Sequence, residues 1–123
     1  MFGFGKKKIL IIEDDESTRN AIADKLSREG YSVITAADGS EGSRLAFEEK
    51  PDVILLDLML PLQDGAAVLS DLRSDPNLES TPVIIMSNLL EDPELMRKYK
   101  IAGYIVKSDW KMEDVVAKVK EVL

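Results

Sequence analysis

The chain has 123 residues, 45% hydrophobic and 32% charged, a balance that fills one core and leaves no room for a second domain of ordinary size. With 23 acidic against 16 basic residues the formal charge is −7, so the average field repels phosphate backbones and anionic membranes, and neither direct nucleic-acid binding nor membrane insertion is expected. Cysteine and histidine are both absent, which excludes disulfides, thiolate metal sites, phosphohistidine within this chain and the commonest general base. Any site must be built from carboxylates, hydroxyls and lysine. No apolar run approaches the roughly 20 residues that span a bilayer, and the start lacks the layout of a secretory signal, so a cytoplasmic location is expected.

Residues 1–7 read as a short tail, and 8–123 as one domain. Ile9-Leu10-Ile11-Ile12 is a continuous apolar run of the kind found in strands buried on both faces, the mark of a parallel sheet. From Ser17 to Glu29, Ile22 and Leu26 stand four apart among charged residues, which predicts a helix stopped by Gly30. A second strand is expected at Tyr31 to Ala36, and Asp38-Gly39 then turns the chain into a helix carrying Leu45, Ala46 and Phe47 and closed by Pro51. Val53 to Leu56 is the third strand, ending at Asp57, with a loop through Pro61, Asp64 and Gly65 into a helix from Ala66 to Arg73.

Pro82 to Met86 predicts a fourth buried strand that stops at Ser87. Asp92 as cap and Pro93 at the first helical position start a short helix expected to run to about Lys100 and to be broken by Gly103. Tyr104-Ile105-Val106 is the last strand, ending at Lys107. Met112, Val115, Val116, Val119, Val122 and Leu123 then fall at three- and four-residue steps along a closing amphipathic helix. Five strands alternating with five helices predict an α/β three-layer sandwich with a parallel sheet, for which 2-1-3-4-5 is a common strand order.

Ligands of open parallel sheets bind beyond the carboxyl ends of the strands. Those ends carry Glu13 and Asp14, then Asp57, Ser87 and Lys107. Three carboxylates gathered at one edge repel one another unless a cation neutralises them. A hard divalent ion, magnesium or manganese, suits oxygen ligands from Glu13, Asp14 and Asp57, with the backbone carbonyl of Met59 as a further candidate. Lys107 and the Ser87 hydroxyl would cover charge on a phosphoryl group, and Asp57 could act as nucleophile to form an acyl phosphate.

The stretches Ile9 to Glu16 and Val53 to Gly65, the strand end at Ser87 and Tyr104-Ile105-Val106-Lys107 resemble, in order and over nearly the whole chain, the motifs of response-regulator receiver domains. That resemblance implies a flavodoxin-like (βα)5 fold. It implies that Asp57 accepts phosphate from a sensor histidine kinase or a histidine phosphotransfer protein, with Glu13 and Asp14 helping to hold magnesium and Asp15 outside the matched pair. Ser87, Lys107 and the backbone of Asn88 would bind the phosphoryl group, and Ser87 and Tyr104 would move together as the switch. A stand-alone domain of this kind is a phosphoacceptor, limited to self-catalysed phosphotransfer and autodephosphorylation, and signals to an effector protein through its fourth helix, fifth strand and fifth helix.

Three departures stand out. Ser108 follows Lys107 where the family usually has proline, Asn88 is larger than the usual residue there, and the interval from Ser87 to Lys107 is short, so the fourth helix should be trimmed. A receiver-like module that binds partners without phosphorylation is the alternative these departures keep open. An aspartate-nucleophile phosphatase fits less well, because Met59 stands where such enzymes need a second carboxylate, and a flavin phosphate would be repelled by the acidic first turn.

Overall fold

The computed structural model describes residues 5–123, so the first four residues of the expected tail lie outside the described residues. Its elements run β1 (Lys8–Ile12), α1 (Glu16–Arg28), β2 (Ser32–Ala36), α2 (Gly39–Glu49), β3 (Val53–Leu56), α3 (Gly65–Ser74), β4 (Val83–Ser87), α4 (Pro93–Lys98), β5 (Gly103–Val106) and α5 (Met112–Val122). All four strand pairings are parallel and the order is β2-β1-β3-β4-β5, as the alternation of strands and crossover helices predicts.

Side chains of each strand alternate between two cores. Ile9, Ile11, Val53, Leu55, Ile84 and Met86 point to the layer where α1 supplies Ile22 and Leu26 and α5 supplies Val115, Val116 and Val119. Leu10, Ile12, Ile54, Leu56, Val83 and Ile85 point to the opposite layer, filled by Ala46 of α2 and by Val68, Leu69 and Leu72 of α3. Two buried faces explain why β1, β3 and β4 are apolar at nearly every position rather than alternating.

Local signals set the helix ends. Asp15, Asp38, Asp64 and Asp92 each accept a backbone N–H of the helix that follows, and Pro93 opens α4. Gly30, at φ +100°, ends α1 in the left-handed region that glycine enters without steric cost.

Some expected boundaries shift. Tyr31 and Pro82 precede their strands, and α4 stops at Lys98, turned by Lys100 at φ +54° rather than by Gly103, which opens β5. Six residues make α4 the shortest α-helix among the described residues, in keeping with the short interval between Ser87 and Lys107. Phe47 and Leu123 are exposed (40% and 39%) because the first faces away from the sheet and the second lies past the last turn of α5.

Candidate functional site

Strand register brings the expected residues together. Ile12 pairs with Leu56, so Glu13 and Asp57 leave the sheet side by side; Leu56 pairs with Ile85, and Ser87 with Val106, which places Ser87 and Lys107 on the next two strand ends. The last sheet hydrogen bonds here are Asp57 N–H to the Ile12 carbonyl (3.1 Å) and Glu13 N–H to the Ala36 carbonyl (3.0 Å). Beyond them the chain is free to turn its side chains toward a ligand.

Carboxylate oxygens of Glu13, Asp14 and Asp57 lie within 4.8 Å of one another. Glu13 is fully buried, Asp57 nearly so, and Asp14 is exposed. Asp15 is not part of this cluster: its carboxylate caps α1, accepting from Thr18 N–H at 2.8 Å and Thr18 Oγ1 at 2.6 Å. Those bonds hold its carboxyl below the usual aspartate range.

Two buried acids side by side need a counter-charge, and Lys107 supplies it. Its Nζ donates to Asp57 Oδ2 at 2.8 Å and forms a shorter contact to Glu13 Oε1. Burial raises the Glu13 carboxyl above its ordinary value, and the Asp57 charge adds to this; the Lys107 and Asp15 hydrogen bonds oppose the rise without cancelling it. At Lys107 burial works against the charge, but the bonds to Asp57 and Glu13 prevail and its pKa is raised. Lys107 reaches both acids although Ser108, not proline, follows it; Lys107–Asp109 form one 3-10 turn, and no described peptide bond is cis.

The loop after Asp57 is held from several sides. Met59 N–H donates to Asp57 Oδ1 (3.0 Å), which fixes the carboxylate's rotation, and Gly65 N–H donates to the Leu58 carbonyl (3.0 Å). A Cβ on Gly65 would sit 2.9 Å from the Asp57 carbonyl oxygen and 2.5 Å from Leu58 Cα, so the close return of the chain requires glycine. Gln63 bridges to Asp71 of α3 at 2.6 Å, a contact no sequence signal announces.

Ser87 is buried, with its Oγ accepting from Leu89 N–H at 3.2 Å. Asn88 is exposed beside it. Tyr104 turns its hydroxyl to the same loop, donating to the carbonyls of Leu89 (2.8 Å) and Leu90 (3.3 Å). Burial, together with the nearby charges of Glu91, Asp92 and Asp57, keeps that phenol protonated beyond its usual range, against a smaller lowering by Ser87.

Sequence reasoning passed over two arginines. Arg19, one turn into α1, donates from Nη1 to the carbonyls of Glu13 (3.0 Å) and Asp14 (3.4 Å). Arg73, at the end of α3, donates to the carbonyls of Leu78 (2.8 Å), Tyr99 (2.7 Å) and Lys100 (3.4 Å). A basic residue five places after the acidic pair was the available hint for Arg19; Arg73 has one near partner, the Leu78 carbonyl, but nothing local points to Tyr99 and Lys100, which lie 26 and 27 residues away.

The donor set fits a hard cation. All three side-chain ligands are carboxylate oxygens, and their 4.8 Å spread is close to the roughly 4.2 Å that separates opposite ligands of magnesium with bonds of about 2.1 Å.

This sheet order, with an acidic trio and a lysine at the strand ends, defines a class of phosphoacceptor switch domains. The profile of the family described as "Response regulator receiver domain" matches residues 9–120, and the chain belongs to that family. Members work in two-component systems, and phosphorylation and magnesium binding are typical of them. The chain is 33% identical over 120 residues to a probable transcriptional regulator ycf27 of Guillardia theta, covering 96% of this chain and 46% of that protein. It thus spans about half the length of such curated relatives. Among solved structures it superposes on chemotaxis protein CheY4 of Vibrio cholerae with TM-score 0.89 and 26% identity, over 97% of this chain and all of that one. The receiver domain of Francisella response regulator 1452 gives TM-score 0.84 and 30% identity, over 94% and 95% of the two chains. Among the described residues no helix is long and apolar enough to cross a membrane.

Proposed function

We propose that Asp57 accepts a phosphoryl group from the phosphohistidine of a sensor histidine kinase or a histidine phosphotransfer protein, in a cytoplasmic two-component pathway. The observation that carries this reading is the buried Asp57 carboxylate, oriented by Met59 N–H, beside Glu13 and Asp14 and in contact with Lys107. An Asp57 oxygen forms the new O–P bond as the donor's P–N bond breaks, and the imidazole leaves with that electron pair and takes up a proton. Glu13, Asp14, Asp57 and the Met59 carbonyl would hold magnesium or manganese. When bound, the ion neutralises the acids and stabilises charge on the transferring group. Lys107, the Ser87 hydroxyl and the Asn88 backbone N–H would bind the phosphoryl oxygens.

Phosphorylation adds about −1.5 to −2 charges at this edge. Turning the Ser87 side chain toward the phosphoryl group would draw its oxygen away from Leu89 N–H, and the loop so released is the one to which Tyr104 is tied. The change would thereby pass to α4, β5 and α5, the proposed face for a downstream effector protein. Catalysis beyond self-phosphorylation and autodephosphorylation is not part of this reading.

Incubation with phosphoramidate or acetyl phosphate and magnesium, followed by intact mass measurement, tests it. The expected outcome is one phosphoryl group on the wild type, and none on Asp57→Asn or after chelation of the metal. Equal modification of Asp57→Asn overturns the assignment.

A further inference from the structure

We infer that Arg19 is a positioning residue for the cation: by tying down the β1–α1 turn it sets how tightly the acidic site takes a divalent ion. The inference rests on the proposed role of Glu13, Asp14 and Asp57 as ligands.

Where β1 ends, the carbonyls of Glu13 and Asp14 run out of neighbouring strand to pair with, since Glu13 N–H makes the last sheet bond on this side. Arg19 Nη1 takes both, at 3.0 and 3.4 Å. Its own backbone N–H makes the first helical bond to the Asp15 carbonyl (2.8 Å), so the guanidinium is anchored to the element it braces. Asp15 N–H donates to Glu13 Oε2 at 3.1 Å. Each peptide group between Glu13 and Asp15 is therefore held by at least one hydrogen bond.

Glu13 and Asp57 are already oriented by Lys107 and by backbone N–H groups. Asp14 differs. It is the exposed member of the trio, and Arg19 reaches it through its backbone carbonyl. Its Cα–Cβ direction follows from the peptide planes on either side, which are the ones Arg19 fixes. Residues that orient ligands without touching the ion typically change metal affinity about 10–100-fold when removed.

Charge and position make opposite predictions, which makes the inference testable. A guanidinium near the cluster repels a second cation, so a purely coulombic Arg19 would weaken magnesium binding and Arg19→Met would tighten it. A positioning Arg19 predicts that Arg19→Met weakens it. Magnesium titration of the full chain by calorimetry, well below the melting temperature, decides. The expected result is an affinity about tenfold weaker in Arg19→Met, with Arg19→Lys between the two because an ammonium keeps the charge but lacks the planar fork.

Phosphorylation by phosphoramidate should show the same split, the half-saturating magnesium concentration rising about tenfold while the rate at saturating magnesium stays near that of the wild type. Unchanged or tighter binding in Arg19→Met overturns the inference alone. If that variant does not fold, a wild-type constant in Arg19→Lys overturns it equally. A wild type that takes no magnesium in the millimolar range overturns both this inference and the ligand set beneath it.

Discussion

Helices α1 and α4 each follow a strand whose end lies at the site, yet they are held by different forces. The first has 13 residues and sinks Ile22 and Leu26 fully into the core. The second has six, none of them buried, with Leu95 its partly packed apolar contact. Polar clamps hold it instead: the Asp92 cap at its start, Arg73 on the carbonyls of Tyr99 and Lys100 at its end, and Tyr104 on the loop before it. Moving a buried leucine exposes apolar surface and opens a cavity, whereas exposed hydrogen bonds such as those of Tyr104 to the Leu89 and Leu90 carbonyls can be exchanged for water or for a new partner at little net cost. The phosphorylation switch proposed above would have only a few kilocalories to shift an element, and of these two helices α4 is the one held by forces of that size.

That contrast can be broken from either end. Leu26→Ala should cost about 3 kcal/mol in chemical denaturation and lower the protection of the whole domain together. A loss confined to α1 would show that the two helices are not distinguished by core burial. Arg73→Met should cost about 2 kcal/mol, because three carbonyls lose a charged donor. Hydrogen exchange would sharpen the point, with amides of α4 and the 75–82 loop speeding up while those of α1 stay slow. Uniform acceleration would place Arg73 in the global core rather than at a local clamp.

Asp15→Ala removes a cap on the well-packed helix and should lower stability at neutral pH by the smallest amount of the three. The Asp15 pKa is lowered in the folded state by its bonds to Thr18, so its stabilisation is present in full above the ordinary value of 3.8 and fades as pH falls through the lower folded value. Wild type and Asp15→Ala should therefore converge in stability in that acid window. A constant difference down to that pH would mean that the cap acts without its charge.

How much could be read beforehand follows the same line between local and distant causes. Asp92-Pro93 announced the start of α4, and Asp64-Gly65 marked the turn out of the β3 loop, because caps and turns depend on neighbours in sequence. At the other end, the sequence predicts a helix to about Lys100 broken by Gly103, whereas the helix ends at Lys98, where Arg73 of α3 takes the carbonyls of Tyr99 and Lys100. At the site, Glu13, Asp14, Asp57, Ser87 and Lys107 were legible as the residues just past apolar runs. Legibility stopped at their mutual contacts, since nothing local says that Lys107 bonds Glu13 and Asp57 or that Ser87 holds Leu89 N–H.

By itself the sequence determined which residues stand at strand ends, because strand length is written in consecutive apolar residues and an acid, hydroxyl or lysine interrupts each run. Tertiary structure decided which of those residues meet, because register across the sheet couples Ile12 to Leu56 and Ser87 to Val106 over long stretches of chain. It also decided their charge environment. Burial raises the carboxyl of Glu13, and only the folded chain carries the Lys107 ammonium across to offset it.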